Sequence, residues 1–384
     1  MSKSYYSLGL MSGTSMDGVD ASIIQTDGKS KYKAILDNYF EYPKNIFQNL
    51  TTLRDKIKIS KDLKRFEKQA KSIEKKITLF HAKAASKIIE KSKLNVDFIG
   101  FHGQTIFHND EERISRQLGD GKLLSKLTKK TVVYNFRQND LDNRGRGAPL
   151  TPIFHKLLVK KNKISLPVVI LNIGGIANAT YIGVENTIFA KDIGPGNCLI
   201  DKWIRLKSKN KNKYDKNGAT ARSGKINNKA VSKALIKWQE IDDVNYQAFD
   251  IKDFDMSFVK ALSLKDGAAT LTNYTSIILA RALYFSAWGP LDTVIITGGG
   301  RKNKFLINSI NKVRNRIYEE KIIIKLIEEF VDFDKPDYGI NGDFIESQAF
   351  AYLAIRSYLN LPISFPETTG VCKPCSGGTI VKNF

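Results

Sequence analysis

A chain of 384 residues, 42% hydrophobic and 10% aromatic, can bury a large core, and its length favours two domains over one. That composition excludes a disordered chain, no apolar run reaches the 18 residues of a spanning helix, and three cysteines make no disulfide framework. The formal charge of +22 is carried by lysines spread along the whole length among Asn and Ile residues, a compositional drift on solvated faces and not a nucleic-acid-binding module. Such a field still favours an anionic small substrate. The N-terminus lacks the charged-then-apolar plan of a secretory signal. The expectation is a soluble cytoplasmic protein with neither nucleic acid nor membrane as partner.

The first predicted strand covers Tyr5 to Leu10, and a tight turn leads into a second over Val19 to Ile24. In the turn, Gly13 and Gly18 permit unusual φ or close backbone approach, and Ser12, Thr14 and Ser15 offer hydroxyls. Backbone N–H groups in such a turn can form a nest for phosphate oxygens, with Asp17 or Asp20 facing magnesium. A decorated hairpin explains the same residues equally well. Two commoner nucleotide motifs are excluded. Gly28-Lys29-Ser30 lacks the Walker A glycine five residues earlier, because Ile23 stands there. Gly194-Pro195-Gly196 lacks the third Rossmann glycine, because Leu199 stands there.

Ser30 to Phe40 reads as a further strand. Lys61 to Lys91 reads as a helix, since Leu63, Phe66, Ala70, Ile73, Ile77, Phe80 and Ala84 recur at steps of three and four. Val96 to Phe101 and Thr131 to Phe136 are short buried-strand patterns. The first ends in His102-Gly103-Gln104-Thr105 and the second in Arg137-Gln138-Asn139-Asp140. Polar side chains at strand ends face a cleft in α/β folds. His102, Gln104, Thr105, Arg137 and Asp140 therefore suit hydrogen bonding to a sugar, with Arg137 able to pair with a carboxylate. Taken singly, each is better explained as structural.

A turn-rich stretch, Asn143 to Pro152, precedes a helix from Ile153 to Lys160, and Lys160 to Pro167 reads as a connector after which the plan restarts. Val168 to Asn172, the turn Gly174-Gly175 and Ile176 to Ile182 repeat the strand–glycine turn–strand plan of the N-terminus. Two such units suggest a duplicated α/β architecture with a cleft. Ile188 to Ala190 then leads to Asp192 and Gly194-Pro195-Gly196-Asn197, which open a helix over Leu199 to Leu206. N–H groups at a helix start favour anions, and a carboxylate beside them can act as a general base. A turn cap is the plainer role for Asp192.

Helical patterns recur at Asn228 to Gln239 and Ala268 to Trp288. Thr293 to Thr297 is a buried strand ending in Gly298-Gly299-Gly300, where a backbone can approach a ligand such as an adenine or ribose. The last helix runs from about Asp343 to Leu359, and Asp343 with Glu346 has the spacing of a capping box. Cys372-Lys-Pro-Cys375 supplies two thiolates where structural zinc takes four ligands, so the thiols read as incidental.

Together, GLMSGTSMDGVDA from residue 9, FHGQTIFH from 101, FRQNDL from 136, GAPLTPIFH from 147, NIGGIANAT from 172, DIGPGNCLID from 192, TGGGRKN from 297, GDFIESQAFAYLAIR from 342 and FPETTGV from 365 resemble the anhydro-N-acetylmuramic acid kinase family. The resemblance spans nearly the whole chain in order. It implies an α/β fold of two ribonuclease-H-like, actin-like ATPase domains with a central nucleotide cleft. The domains would be 1–165 and 166–359, with the tail of about 360–384 packing back on the first. It also implies ATP and Mg2+ as cofactors, a small-molecule anhydro-amino-sugar as substrate, and a homodimer.

By that resemblance, Gly13, Thr14, Ser15, Met16, Asp17, Gly18, Val19 and Asp20 form one phosphate loop, with Asp17 toward the metal. Asn172, Gly174 and Gly175 form the other loop, and Gly298, Gly299 and Gly300 the adenosine segment. Asp192 would be the base that activates water, Glu346 a second catalytic carboxylate, and Gly194, Pro195, Gly196 and Asn197 would join the sugar-binding set. The implied reaction is hydrolytic opening of the 1,6-anhydro ring with phosphorylation of O6. Two departures stand out. Arg146 replaces the family's usual Gln, and Tyr246-Gln247-Ala248-Phe249 precedes Asp250 where the family carries Pro-Lys-Ser before its Asp. They leave room for a kinase of a different sugar. A non-catalytic nucleotide-dependent binding protein is the alternative of another class.

Overall fold

The computed structural model describes residues 3–185, 187–242, 248–283, 291–317, 322–332 and 335–384. The apolar N-terminal runs form an antiparallel meander of Tyr5–Ser12 (β1), Gly18–Thr26 (β2) and Tyr32–Glu41 (β3). β1 takes a parallel partner, Phe98–Asn109 (β4), whose far end folds back as Ile114–Leu118 (β5). Thr131–Tyr134 (β6) lies parallel to β4, and the C-terminal strand Thr379–Val381 closes that edge antiparallel to β6. The resulting order is β3-β2-β1-β4-β6. Helix Glu67–Ser92 covers one face with Ala70, Ile73, Ile77, Ala85 and Ile88, the stripe expected from its periodicity. The single helix expected over Lys61 to Lys91 is broken at Phe66, where φ −103° and ψ 18° separate Ser60–Arg65 from Glu67–Ser92.

The same plan recurs. Val168–Ile173 (β7), Ile176–Ile182 (β8) and Ile188–Pro195 (β9) form a second meander. Thr293–Thr297 (β10) is parallel to β7, and Ile323–Leu326 (β11) is parallel to β10. Its order, β9-β8-β7-β10-β11, repeats the first sheet strand for strand. This is the duplicated ribonuclease-H-like arrangement. Helix Leu264–Ala282 starts four residues before the expected Ala268, because Ser263 caps it by accepting the Asp266 N–H. Its expected continuation to Trp288 lies outside the described residues. No helix among the described residues is long and apolar enough to cross a membrane.

The chain divides into one unit of Met1–Ile164 with Phe330–Phe384 and a second of Ser165–Glu329. This corrects the expected assignment of 330–359 to the second domain. Helix Ile345–Tyr358 packs on β1, β2 and β4. A Cβ on Gly9 would collide with the Ser347 carbonyl oxygen, and one on Gly100 with that of Phe350. Glycine in both strands thus lets helix backbone rest directly on sheet backbone. Ser7 Oγ donates to Ala351 O at 2.8 Å, Ser22 and Ser347 hydroxyls meet at 2.6 Å, and Arg356 Nη1 donates to Gly28 O at 3.0 Å. The helix is buried on nearly every side from Ile345 to Ser357, which explains its lack of a polar face.

Gly28-Lys29-Ser30 forms the β2–β3 turn. Asp27 Oδ1 accepts the N–H groups of Lys29, Ser30 and Lys31 at 2.9, 2.9 and 2.8 Å, so a carboxylate holds this turn from within the chain.

Gly100→Ala forces a methyl group against helix backbone and lowers stability by about 1–3 kcal/mol, read as a lower urea midpoint at unchanged slope. His81, His102 and His155 are buried, and burial lowers their pKa values from 6.5 to about 4, 3 and 4. Below pH 6.5 the unfolded chain takes up three protons that the native chain refuses, so the unfolded state binds more protons and stability falls as pH falls. Between pH 7 and 5 the loss should steepen toward about 1.4 kcal/mol per pH unit for each histidine. Urea unfolding across that range checks it, and His81→Leu should reduce the slope by about one histidine's share.

Candidate functional site

In the first unit the β1–β2 turn is closed by the Met16 N–H donating to Gly13 O at 3.1 Å. The residue with positive φ is Met16, at 58°, and neither Gly13 nor Gly18 takes that role. Met16 is fully buried in the core of this unit, and that burial offsets the roughly 1–2 kcal/mol a side chain loses in the left-handed region. Gly18 serves close approach instead, beneath the Phe40 carbonyl and the Tyr39 ring. Gly13 faces space: a Cβ there would meet nothing within 4 Å. Ser15 Oγ donates to Asp17 Oδ1 at 2.5 Å, and Arg54 Nη1 braces the turn through Thr14 O at 2.9 Å. Val19 is buried and Asp20 half-buried in the strand that follows.

β4 does not end before His102, as the apolar pattern suggested. It continues to Asn109, because pairing with β5 supplies partners beyond the apolar stretch and Gly103, at φ 73°, absorbs the irregularity against β1. His102, Gln104 and Thr105 are consequently mid-strand. Buried Ser12 and Gln104 meet at 2.7 Å, and Gln104 Nε2 donates to Gly13 O at 3.0 Å, which ties the turn to β4. Thr105 Oγ1 accepts from Gln117 Nε2 at 3.3 Å.

Arg137 donates through Nη2 to His102 Nε2 at 3.0 Å and through Nη1 to Gly147 O at 2.7 Å. His102 Nδ1 lies 2.9 Å from Gly103 O, so the ring is neutral with its proton on Nδ1. Burial and then the Arg137 charge push its pKa down to about 3. Arg137 is thus engaged in bracing, beyond the carboxylate pairing expected of it. Asp140 Oδ1 accepts the Gly147 N–H at 2.5 Å, while Oδ2 is buried with no hydrogen-bond partner among the described residues. A cavity of about 260 Å³ opens beside His102 and Gly103, with Arg116, Gln117, Asn135 and Gln138 in its walls. Arg146 is drawn to the C-terminal segment, its backbone N and Nε donating to Thr369 O at 2.9 and 3.1 Å.

In the second unit three glycine turns come together. Gly196 N and Cys198 N donate to Gly175 O, and Asn197 N to Gly174 O, at 2.9, 3.1 and 2.8 Å. These N–H groups at the start of helix Cys198–Lys207 were expected to be exposed for an anion. They are used up in holding the β7–β8 turn. Gly298, at φ 76°, would bring a Cβ against Ile173 O at 2.7 Å, and Gly300 packs on Ile173 and Asn197. Gly299 opens into space, with nothing within 4 Å of its Cβ position, and Gly174 would meet only Ile176 O at 3.2 Å.

Strand register adds two residues that sequence reasoning missed. Thr297 pairs with Asn172, Asn172 with Asn178, and Asn178 with Asp192, so a polar row crosses β10, β7, β8 and β9. Asn178 lay inside the NIGGIANAT motif, but its pairing with Asp192 exists only in the sheet. Its Oδ1 is buried without a hydrogen-bond partner among the described residues. Asp192 stands within β9, three residues before Pro195, and is 9% exposed. Its Oδ2 accepts the Phe249 N–H at 3.0 Å. Phe249 belongs to the segment that departs from the family pattern, of which Tyr246 and Gln247 lie outside the described residues.

Glu346 stands in the first turn of helix Ile345–Tyr358, half-buried in the first unit. The expected capping box does not form. The N-cap is Phe344, which puts Glu346 one position short of N3, while the Asp343 N–H donates to Asn341 Oδ1 at 3.1 Å. Cys198, Cys372 and Cys375 form no disulfide, and burial raises the Cys375 thiol pKa, opposite to a reactive thiolate. Among the described residues no group of three or more His, Cys, Asp or Glu gathers to hold a metal. Magnesium keeps several waters and takes one or two carboxylates beside phosphate oxygens, so the donor set at Asp17 and the open turn at Gly13 fit it.

The family model for anhydro-N-acetylmuramic acid kinase matches residues 5–383. The anhydro-N-acetylmuramic acid kinase of Pelagibacter ubique is 52% identical over 389 residues, covering 100% of both chains. Those of Zymomonas mobilis and Brucella canis are 37% and 35% identical and cover 97% and 98% of this chain and 98% of their own. With a match from the first strand to the last and both glycine-turn sheets in place, the chain belongs to the anhydro-N-acetylmuramic acid kinase family.

Proposed function

We infer that the chain is an ATP-dependent kinase that opens the 1,6-anhydro ring of anhydro-N-acetylmuramic acid with water and phosphorylates O6. The products are N-acetylmuramic acid 6-phosphate and ADP, a step of peptidoglycan recycling. The observation that carries this reading is the family match over residues 5–383. In the proposed chemistry Asp192 removes a proton from water as its oxygen bonds to the anomeric carbon. The C1–O6 bond breaks, and O6 attacks the γ-phosphorus as ADP departs. A general base must be ionised and fixed, and the Phe249 N–H on Asp192 Oδ2 favours both.

The turns at Gly13, Gly174 and Gly299 are the proposed phosphate and nucleoside contacts, supported by the open space at the Cβ positions of Gly13 and Gly299. Magnesium, when bound, neutralises phosphate charge, and Asp17 is the residue proposed to hold it. The unpartnered Oδ2 of Asp140 supports a sugar-hydroxyl contact there. His102, neutral and with both ring nitrogens engaged by Gly103 O and Arg137, supports the site by orienting the Arg137 guanidinium. Glu346 is retained as a second carboxylate near the reaction on the family resemblance alone. The same resemblance supports a cytoplasmic homodimer.

Incubation with ATP, Mg2+ and anhydro-N-acetylmuramic acid should yield the 6-phosphosugar and ADP in equal amounts, measured by mass spectrometry. Absence of product from the native chain sinks the reading. Asp192→Asn should lower kcat by at least about a hundredfold, in the range typical of losing a general base. Asp17→Asn should raise the Mg2+ concentration needed for half-maximal rate, with the rate at saturating metal affected less.

A further inference from the structure

We propose that Trp238, Phe249 and Phe254 form a positioning device for the Asp192 carboxylate, a role that rests on Asp192 being the base. The strand β9 carries that carboxylate, and the backbone N–H of Phe249 binds its Oδ2 at 3.0 Å. Both are braced by one indole. Trp238 approaches β9 two residues beyond Asp192, where Gly194 has φ 140° and a Cβ would lie 3.4 Å from two atoms of the indole ring. Ile278 closes the same spot from the neighbouring helix, 2.7 Å from that Cβ position. A side chain at 194 would therefore collide with Ile278 and sit in direct contact with the indole.

The same indole packs on Phe249, with ring centroids 5.5 Å apart, and on Phe254 at 6.0 Å, while Phe249 and Phe254 lie 5.4 Å apart. Trp238, Phe249 and Phe254 are 4%, 7% and 7% exposed, so the three rings form a closed triangle inside the core of this region. Between the two phenylalanines, Asp250 N donates to Asp253 Oδ2 at 2.7 Å and closes the short turn Ile251–Asp253 that fixes their spacing. The Phe249 ring is an anchor that sets its own N–H, and the rings act through that donor and through β9. Holding Oδ2 sets the rotation of the carboxylate and the direction in which its other oxygen faces. A displacement of about 1 Å at a reacting group is enough to reduce a rate about a hundredfold.

The test compares Trp238→Leu, Phe254→Leu and Trp238→Phe with Phe258→Leu. Phe258 packs on Tyr274 at 5.1 Å in the same core but makes no ring contact with the triangle. Trp238→Leu and Phe254→Leu should each lower kcat at least about tenfold with KM for ATP and sugar within twofold. Trp238→Phe should recover most of that loss, and Phe258→Leu should leave kcat near native while lowering the melting temperature. If Trp238→Leu does not fold, Phe254→Leu and Trp238→Phe carry the comparison. Unchanged kcat in Phe254→Leu and Trp238→Leu overturns the proposal, as does an equal loss in Phe258→Leu. Asp192→Asn run alongside separates the two readings. A fully active Asp192→Asn overturns the base assignment and the positioning role together, whereas an inactive one beside unaffected aromatic variants overturns the positioning role alone.

Discussion

The contact between helix Ile345–Tyr358 and the bare backbone of β1 and β4 is the constraint on which the first unit depends. Gly9 and Gly100 leave no side chain between strand and helix, so carbonyl groups of Ser347 and Phe350 occupy the space a methyl group would take. Around this seat, Ser7, Ser22 and Gly28 supply hydrogen-bond partners to a helix that is apolar or small along most of its length. The β1–β2 hairpin is thereby clamped from one face by this helix and from the other by helix Glu67–Ser92. Its turn, with Met16 buried and Gly13 open, is a projection from a fixed base. A segment more than 330 residues away in sequence thus determines how firmly the candidate phosphate loop is held.

The second unit reaches a comparable result by other means. Its turns are stitched to one another by backbone hydrogen bonds, with the start of helix Cys198–Lys207 used as a fastener for the Gly174-Gly175 turn. The space left open is at Gly299, where a Cβ would meet nothing within 4 Å. Beside these turns the paired residues Thr297, Asn172, Asn178 and Asp192 put four polar side chains in one line across the sheet. In an otherwise apolar sheet such a row carries a desolvation penalty unless it is used or satisfied, and ligand contact is one way to satisfy it.

Electrostatics in this chain act locally. The lysine excess gives a positive field of long range, but the ionisable groups around the candidate sugar residues are fixed individually. His102 is neutral because it is buried beside a guanidinium, and Arg137 is oriented because His102 and Gly147 accept from it. A neutral imidazole with one defined tautomer is a hydrogen-bonding group whose behaviour does not change across physiological pH.

Much of the architecture was legible in the residues alone. Apolar runs interrupted at Gly13, Gly174 and Gly298 announced strands with turns, the restart near residue 168 announced duplication, and the ordered motifs carried the family. All of these are local signals, because a strand's apolar run and a turn's glycine are dictated by neighbours in sequence. What the sequence alone did not determine was pairing. The extension of β4 beyond His102 required β5, the exhaustion of the helix N–H groups at 196–198 required the carbonyls of 174 and 175, and the membership of Ile345–Tyr358 in the first unit required two glycines to meet a distant helix. Asn178 beside Asp192, Met16 in the left-handed conformation, and the Phe249 N–H on the Asp192 carboxylate are of the same kind. Each depends on packing between segments far apart in the chain, where burial and hydrogen-bond satisfaction outweigh local preference, so only the tertiary structure decided them.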